Sequence, residues 1–478
     1  MKLEGISVCD FEGIYAQMEE NFVLEERRDP ADAKALLDDP AYEVLHLIDG
    51  ATRVGFVTLW HLEEGLTFVE HFVVYAAYRG RGYGAKALRL LQDRFARLVL
   101  EAEYPQTEIA ARRVAFYVRN GFLKNDFPYV QPAYRKGGEG VPLLLMSCPT
   151  VLPDPARVAR LLQECVYKVR RVDLILDTDF GSDCDDAMAI AYLMDAAHWG
   201  AVDLKAVAHS NGCAEGPNAI RTFFSYMREP VPPIGIPAVN MTAYDKYCKQ
   251  MLERFGDGRQ EKFEDAVTVM RRALCESKDA VICAVGAMTN VAALLKSKGD
   301  AISPLDGVSL VRTRCREIVL MAGIFDPKET RTEWNIHLDI PAAQAVAELS
   351  PVPIAWLPSE TGANVITGGP VLKAYGEENP LGLAFSLFPG VIKRGGRSSW
   401  DPASALYAVE GAGDFFGKST AGTVTVDCNG KTAFVPDQAG RHVILHLQDG
   451  AEQALAAYID RRAIRLCDMV RDQKALAL

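Results

Sequence analysis

The chain has no apolar run approaching the length of a membrane span, no CxxC cysteine pair, no internal repeat and no low-complexity tract. The first absence argues against a membrane-spanning helix, which needs about 20 consecutive apolar residues. The stretch from Met1 to Asp10 also lacks the apolar core of a secretory leader. The eleven cysteines are scattered; such spacing suggests buried, reduced thiols, and a cytoplasmic protein is expected. Positive charge is in short supply, with 52 Lys and Arg against 63 Asp and Glu, for a net charge of −11. That balance disfavours general binding to nucleic acid or to an anionic membrane. Length and apolar content are plentiful. At 478 residues, 49% of them hydrophobic, the chain is too long for one ordinary domain and can bury large cores.

Asp177, Asp179, Asp183, Asp185 and Asp186 crowd into ten residues. Val172-Asp-Leu-Ile-Leu176 before them reads as an apolar strand, and the run from Ala187 to Met194 after them as a buried helix. One or two Asp would suit a helix N-cap. This many in one strand-to-helix turn repel one another unless a cation neutralises them. A hard divalent cation bound through oxygen is the simplest partner, and calcium tolerates a flexible, carboxylate-rich loop. Cys184 lies inside the run, but a thiol is a poor ligand for a hard metal and is read as a packing residue. From Val172 onward, apolar strands such as 204–208, 280–285 and 317–321 alternate with helical stretches, as in an open parallel sheet.

The Asp-rich segment resembles the DxDxGxDD signature of the nucleoside hydrolases, here lengthened before the final Asp pair to DTDxGxDxDD. Val285-Gly-Ala-Met-Thr-Asn-Val291 resembles the family's Gly-x-Leu-Thr-Asn turn. Residues 318–323, followed by Glu333-Trp-Asn335 and Asp339, resemble its LMGG…EFN…D segment. Ser399-Trp400-Asp401-Pro402 resembles its late metal-binding Asp-Pro. The four segments stand in the family's order over about two-thirds of the chain. The resemblance implies an open, mostly parallel Rossmann-like sheet flanked by helices, and hydrolysis of the N-glycosidic bond of a ribonucleoside. It implies Ca²⁺ held by Asp179, Asp186, Asp401 and the carbonyl of Val285, with Asp185 as general base. Asp183 is left open: it replaces Asp185, assists it, or caps the helix. Asp177 is expected to order the loop by hydrogen bonding. Glu333 and Asn335 match residues that grip ribose hydroxyls, and Asn211 or Cys213 lies in the region of another sugar contact. Many members place a His before the late Asp to protonate the leaving base. Here that residue is Trp400, whose indole only donates but can stack on a purine. Purine-preferring members carry Trp there. His337, two residues after Asn335, would share its face on an extended segment and is a substitute donor to test.

In the first 150 residues, 54–60 and 66–75 read as strands joined by a Glu-Glu-Gly turn. The turn Tyr78-Arg79-Gly80-Arg81-Gly82-Tyr83-Gly84 follows, then a helix from about Ala85 to Ala96. Glycines let backbone N–H groups approach an anion, and a helix N-terminus favours negative charge, so a pyrophosphate cradle is expected. Arg79-x-x-Gly82-x-Gly84 after a strand, with Ala115-Phe-Tyr117-Val-Arg-Asn-Gly121-Phe122 downstream, resembles the GNAT N-acetyltransferases. That resemblance implies acetyl-CoA on the backbone of Phe72 to Val74 and on the loop Arg79, Gly80, Arg81, Gly82 and Gly84. It implies Tyr117 as general acid and makes Glu70 a candidate base.

The resulting expectation is an α/β chain: a GNAT-like mixed α/β domain over 1–150, a linker helix within 151–171, and a nucleoside hydrolase-like domain over 172–478. It combines acetyl-CoA-dependent N-acetylation with Ca²⁺-dependent hydrolysis of purine ribonucleosides. The alternatives are another N-ribosyl substrate, or a module that senses a nucleoside without cleaving it. Family resemblance implies a homo-oligomer, dimer or tetramer.

Overall fold

A computed structural model describes residues 1–134, 140–169 and 171–476. The chain divides into two compact units, one of Met1–Arg170 with His198–Gly200 and the other of Arg171–Ala197 with Ala201–Leu478. Each is a mixed α/β unit with its own principal sheet.

In the first unit, the described strands form one eight-stranded sheet. Lys2–Gly5, Tyr42–Asp49, Thr52–His61 and Leu66–Val74 pair in succession, antiparallel. Leu66–Val74 then pairs in parallel with Arg97–Glu103, a step that needs a crossover, supplied by the helix Tyr83–Arg94. This helix starts earlier than Ala85 because Gly82, at φ +78°, already turns the chain into it, and extended Phe95 ends it. Strand alternation sorts the core. Val69, Leu98 and Leu100 pack on one face with Leu88 and Leu91 of the helix, while Phe68 and Val99 pack on the other with Trp60 and Leu145.

The parallel pairing is short, from Leu66↔Arg97 to Val69↔Leu100. Beyond it, Leu66–Val74 stays with Thr52–His61 and Arg97–Glu103 stays with Val141–Cys148. The two strands therefore splay, and among the described residues, 70–74 have no strand partner on the inner side. The segment expected as a linker folds into this unit. Pro155–Leu161 is an α-helix continued by a π-turn over Leu162–Val166. Val158, Ala159, Leu162 and Val166 recur at helical spacing and pack among Trp60, Phe68 and Val99.

In the second unit, the described strands of the main sheet number eleven. From Val172–Thr178 the chain steps outward through Val202–His209, Ile234–Ile236 and Glu264–Asp265, all parallel. It then returns to the other side of Val172–Thr178. Ala280–Ala284, Cys315–Met321, Ile354–Leu357 and His442–Leu447 step outward the opposite way, again parallel. The hairpin Gly422–Val426 and Thr432–Pro436 adds an antiparallel edge. Leu174, Ile175 and Leu176 are all fully buried, as expected for a parallel strand covered on both faces. The helix Asp185–His198 is buried all round from Ala187 to Met194, so its sequence reads as one apolar run rather than a stripe. Its far end is pinned through fully buried Asp195. That carboxylate pairs with Arg462 at 3.1 Å and accepts from Arg465 Nε at 2.8 Å, both on the helix Ala451–Leu476.

Strand order reverses between Val172–Thr178 and Ala280–Ala284. Open α/β sheets bind ligands in the crevice beyond the carboxyl ends of strands at such a reversal. The Asp-rich turn leaves one of these ends and Val285 the other.

Candidate active site

Backbone bonds bring the two strand ends together. Val285 N donates to Asp177 O at 2.7 Å, and Ser210 N to Thr178 O at 2.8 Å. Three carboxylates converge above them: Asp179 past the strand end, Asp186 in the first turn of its helix, and Asp401 in the first turn of Trp400–Glu410. Oxygens of all three lie within 4.8 Å of one another, and all three residues are buried. Thr178 Oγ1 donates to Asp186 Oδ1 and Ser182 Oγ to Asp179 Oδ2, but Asp186 Oδ2 has no partner. Burial, and then mutual repulsion, pushes the Asp186 and Asp401 carboxyls well above the usual range. Burial raises Asp179 to about 6. Buried oxygen donors, an orphaned carboxylate oxygen and unrelieved like charge fit a hard divalent cation.

Asp179 and Asp401 border a cavity of about 420 Å³ that also takes in Asp183, Asp185, Val285, Glu333, Asn335 and Trp400. Most of the residues singled out in the sequence for the second unit thus meet in one place, with Asp186 buried beside Asp179 and Asp401. Asp185 Oδ2 accepts from the backbone N–H of Trp400 at 3.1 Å and Asp401 at 3.2 Å. Asp183 is paired with Arg397, whose Nε donates to its Oδ1 at 2.9 Å. The Arg397 guanidinium also lies 4.9 Å from the centre of a Trp400 ring. Sequence reasoning missed Arg397, because nothing local distinguishes it from other surface arginines.

The Glu333–Asn335 segment is not extended. Glu333 is the N-cap of a short helix, Trp334–Leu338, and accepts from Asn335 N at 2.9 Å and Ile336 N at 3.1 Å. A step of two on a helix reverses the direction of the side chain. Asn335 is therefore buried while His337 is exposed and away from the cavity lining. The Asn335 amide group is already committed, donating to Val285 O at 2.9 Å and Met321 O at 3.0 Å. It holds the Val285 carbonyl in place. Trp400 Nε1 donates to Ser359 O at 2.7 Å, leaving the ring in the cavity wall.

Asn211 lines a neighbouring cleft with Asp179. Its amide joins two backbones, donating to Tyr244 O at 2.7 Å and accepting from Tyr244 N at 2.9 Å. Asp177 is fully buried, and burial raises its pKa against a smaller opposing effect of nearby Ser210 and Asn290. Neither of its carboxylate oxygens has a hydrogen-bond partner, so the expected ordering role falls to its backbone carbonyl. Tyr244 and Trp334, packed edge to face at 5.7 Å, also line the cavity and were not anticipated.

In the first unit, the splay between Leu66–Val74 and Arg97–Glu103 opens a cleft of about 590 Å³. Phe72, Val74, Arg79, Gly84 and Tyr117 line it. Arg79 Nε donates to Val74 O at 3.1 Å, and Gly80 and Gly82 both take left-handed φ in the turn before the helix. Arg81 is exposed, its guanidinium 5.9 Å from the Tyr78 ring centre. Tyr117 packs against Phe116 and Phe122, and burial raises its pKa. Glu70 is enclosed: it pairs with Arg28 and accepts from Trp60 Nε1 at 3.1 Å and Tyr134 OH at 3.2 Å. Burial alone would raise its pKa, but Arg28 and His71 lower it overall. Glu101, unremarked in the sequence, accepts from Tyr129 and Tyr167, and burial pushes it to about 7.

The family model described as inosine-uridine preferring nucleoside hydrolase matches residues 174–462, and that of the acetyltransferase (GNAT) family matches residues 11–122. No curated protein matches the chain. Among solved structures, a protein of Bacteroides thetaiotaomicron described as a GNAT-family acetyltransferase is 29% identical, covering 36% of this chain and 100% of its own, with a TM-score of 0.34. An inosine-uridine preferring nucleoside hydrolase of Bacillus anthracis is 16% identical over 62% of this chain and 99% of its own, with a TM-score of 0.47. A purine-preferring ribonucleoside hydrolase of Gardnerella vaginalis is 18% identical over 62% of this chain and 99% of its own, with a TM-score of 0.48.

The buried carboxyls predict a pH dependence. Burial raises Asp177 from 3.8 to about 7, Glu333 from 4.5 to about 7 and Asp179 from 3.8 to about 6. Between these limits the folded state binds more protons than the unfolded one, so stability falls as pH rises. The melting temperature of the second unit in chelator should therefore drop between about pH 4 and pH 7. A saturating divalent cation should flatten that fall by favouring the ionised forms. Scanning calorimetry across the window checks this; a melting temperature in chelator that is flat or rising would contradict it.

Proposed function

Because this chain belongs to the inosine-uridine preferring nucleoside hydrolase family, with an acetyltransferase (GNAT) domain ahead of the hydrolase domain, we propose that its second unit hydrolyses purine ribonucleosides with bound Ca²⁺. The carrying observation is the buried triad Asp179, Asp186 and Asp401, of which Asp179 and Asp401 line one cavity with Asp185. The triad and the Val285 carbonyl would hold the ion. When bound, Ca²⁺ supplies a site that orients the attacking water and the ribose diol and lowers the pKa of that water.

The side chains divide the remaining work. Asp185, oriented by two backbone N–H groups, takes the proton from water. Glu333 keeps spare lone pairs on its capped carboxylate to accept from ribose hydroxyls. Asn335 has committed its N–H groups to the Val285 and Met321 carbonyls, so it offers its amide oxygen. Positive charge builds on the sugar as the glycosidic bond breaks, and the carboxylates around it favour that state. Trp400 presents a ring to the leaving base, favouring a purine with its larger π face. One observation favours a sensing role instead: the cavity lining includes no histidine to protonate the base. Release of free base from a nucleoside panel, with and without chelator, separates the two readings.

For the first unit we propose acetyl-CoA bound along residues 72–74. The turn Arg79–Gly84 would receive the pyrophosphate and Tyr117 would protonate the departing thiolate.

Asp185→Asn should keep the bound Ca²⁺ and lose about 10²–10⁴-fold in hydrolysis, the usual share of general-base catalysis. A near wild-type rate in Asp185→Asn, with the loss appearing in Asp183→Asn, would reverse these two assignments. Trp400→Ala should cost purine substrates about tenfold to a hundredfold in kcat/KM, from ~1–3 kcal/mol of stacking, and cost uridine less. Equal losses would reduce Trp400 to a wall residue. Calorimetry on the full chain should find acetyl-CoA binding that chelator leaves unchanged and that Gly82→Val weakens, since a β-branched residue resists φ +78°. Absence of binding by the folded chain would remove the acetyl-CoA assignment.

A further inference from the structure

We propose that Cys213, Cys248 and Asp245 form a second metal site, for a thiophilic divalent cation such as zinc. The Sγ atoms of the two cysteines and a carboxylate oxygen of Asp245 all lie within 4.8 Å of one another. Sulfur ligands on a tetrahedral zinc stand about 3.8 Å apart, given a Zn–S bond of about 2.3 Å. The 4.8 Å limit leaves at most about 1 Å of closure to reach that. Sulfur also separates this site from the all-oxygen triad, since thiolates select soft cations where carboxylates select hard ones.

The surroundings suit a structural ion. Cys213 and Cys248 are buried, whereas Asp245 is exposed and gives the site access to solvent. Asp245 is already oriented, accepting from Cys248 N at 2.8 Å and Tyr247 N at 3.1 Å. The Cys213 thiol reaches Glu215 Oε2 at 3.6 Å, so the fourth position falls to Glu215 or to water. Cys248 Sγ lies 3.8 Å from Phe180 O, and a Cβ on Gly181 would stand 2.7 Å from the same sulfur.

The site has a mechanical consequence. Cys213 follows the strand Val202–His209, and Asp245 and Cys248 open the helix Cys248–Phe255. The second of these segments already holds the Asp-rich loop: Lys246 N donates to Gly181 O at 2.9 Å, and Tyr247 OH to Asp183 O at 2.9 Å. A metal here would tie the two segments behind the loop that carries Asp179 and Asp183.

The test uses the full-length chain, reduced, stripped with chelator and titrated with Co²⁺ alone. A thiolate-to-cobalt charge-transfer band should grow to one equivalent and bleach on addition of Zn²⁺. Oxygen ligands of the triad cannot produce this band. It should vanish in Cys213→Ser and in Cys248→Ser and persist in Cys428→Ser, an exposed cysteine elsewhere. Asp245→Asn, an exposed change that spares both thiols, should weaken cobalt binding roughly tenfold or more, which guards against cysteine variants that fail to fold. Any of three results would overturn the site: no thiolate band in the wild type, an undiminished band in both variants at 213 and 248, or wild-type protein lacking two thiols with no metal bound.

Discussion

The second unit is organised around buried like charge. Two unit charges 4.8 Å apart, the outer limit for the triad, repel by about 3.5 kcal/mol at an effective dielectric of 20. Three such pairs come to about 10 kcal/mol, comparable with the whole folding stability of a domain, about 5–15 kcal/mol. Asp179, Asp186 and Asp401 cannot all ionise on those terms without a counter-charge. Thr178 and Ser182 each donate one hydrogen bond to the set, and neutral donors relieve only part of it. The remaining choices are protons or a cation, and the proposed function takes the second.

The surrounding fold serves that constraint. The reversal of strand order brings a carboxylate-bearing turn beside the Val285 turn. The helix Asp185–His198 is buried along its middle and held at its far end by the Asp195 pairs with Arg462 and Arg465. Its first turn therefore cannot draw back to let Asp185 and Asp186 escape into water. Breaking a buried pair of this kind typically costs ~3–5 kcal/mol, because it strands the other charge. The charge far from the cavity thus maintains the geometry of the charges within it.

What could be read from the sequence follows from how locally each feature is encoded. The Asp run is dense in sequence, and the strands of the second unit are continuous apolar runs, so both were legible. The partners were not. Arg397 is 214 residues from Asp183, and Arg28 is 42 residues from Glu70; no local pattern ties either pair. The helix at Trp334–Leu338 is too short for a periodicity, and only its N-cap, Glu333, could have signalled it. Cys213 and Cys248 escaped because the fold, rather than a CxxC spacing, brings them together. The helix within 151–171 was legible, but its packing among Trp60, Phe68 and Val99 was not, because those partners lie far away in sequence.

Two carboxylates, Asp183 and Asp185, face one cavity with different partners, and that difference bears on which of them does the chemistry. Asp183 sits at the partly exposed rim, where Arg397 occupies both of its oxygens. Asp185 is held at one oxygen by the N–H groups that open the helix Trp400–Glu410. Those dipoles orient an anion and stabilise it modestly, but they bring no full charge. A base needs a fixed direction and an available lone pair, and backbone dipoles supply the first without taking the second. In the proposed reaction, the lengthened motif thus leaves Asp183 to anchor Arg397 against Trp400, while Asp185 receives the proton.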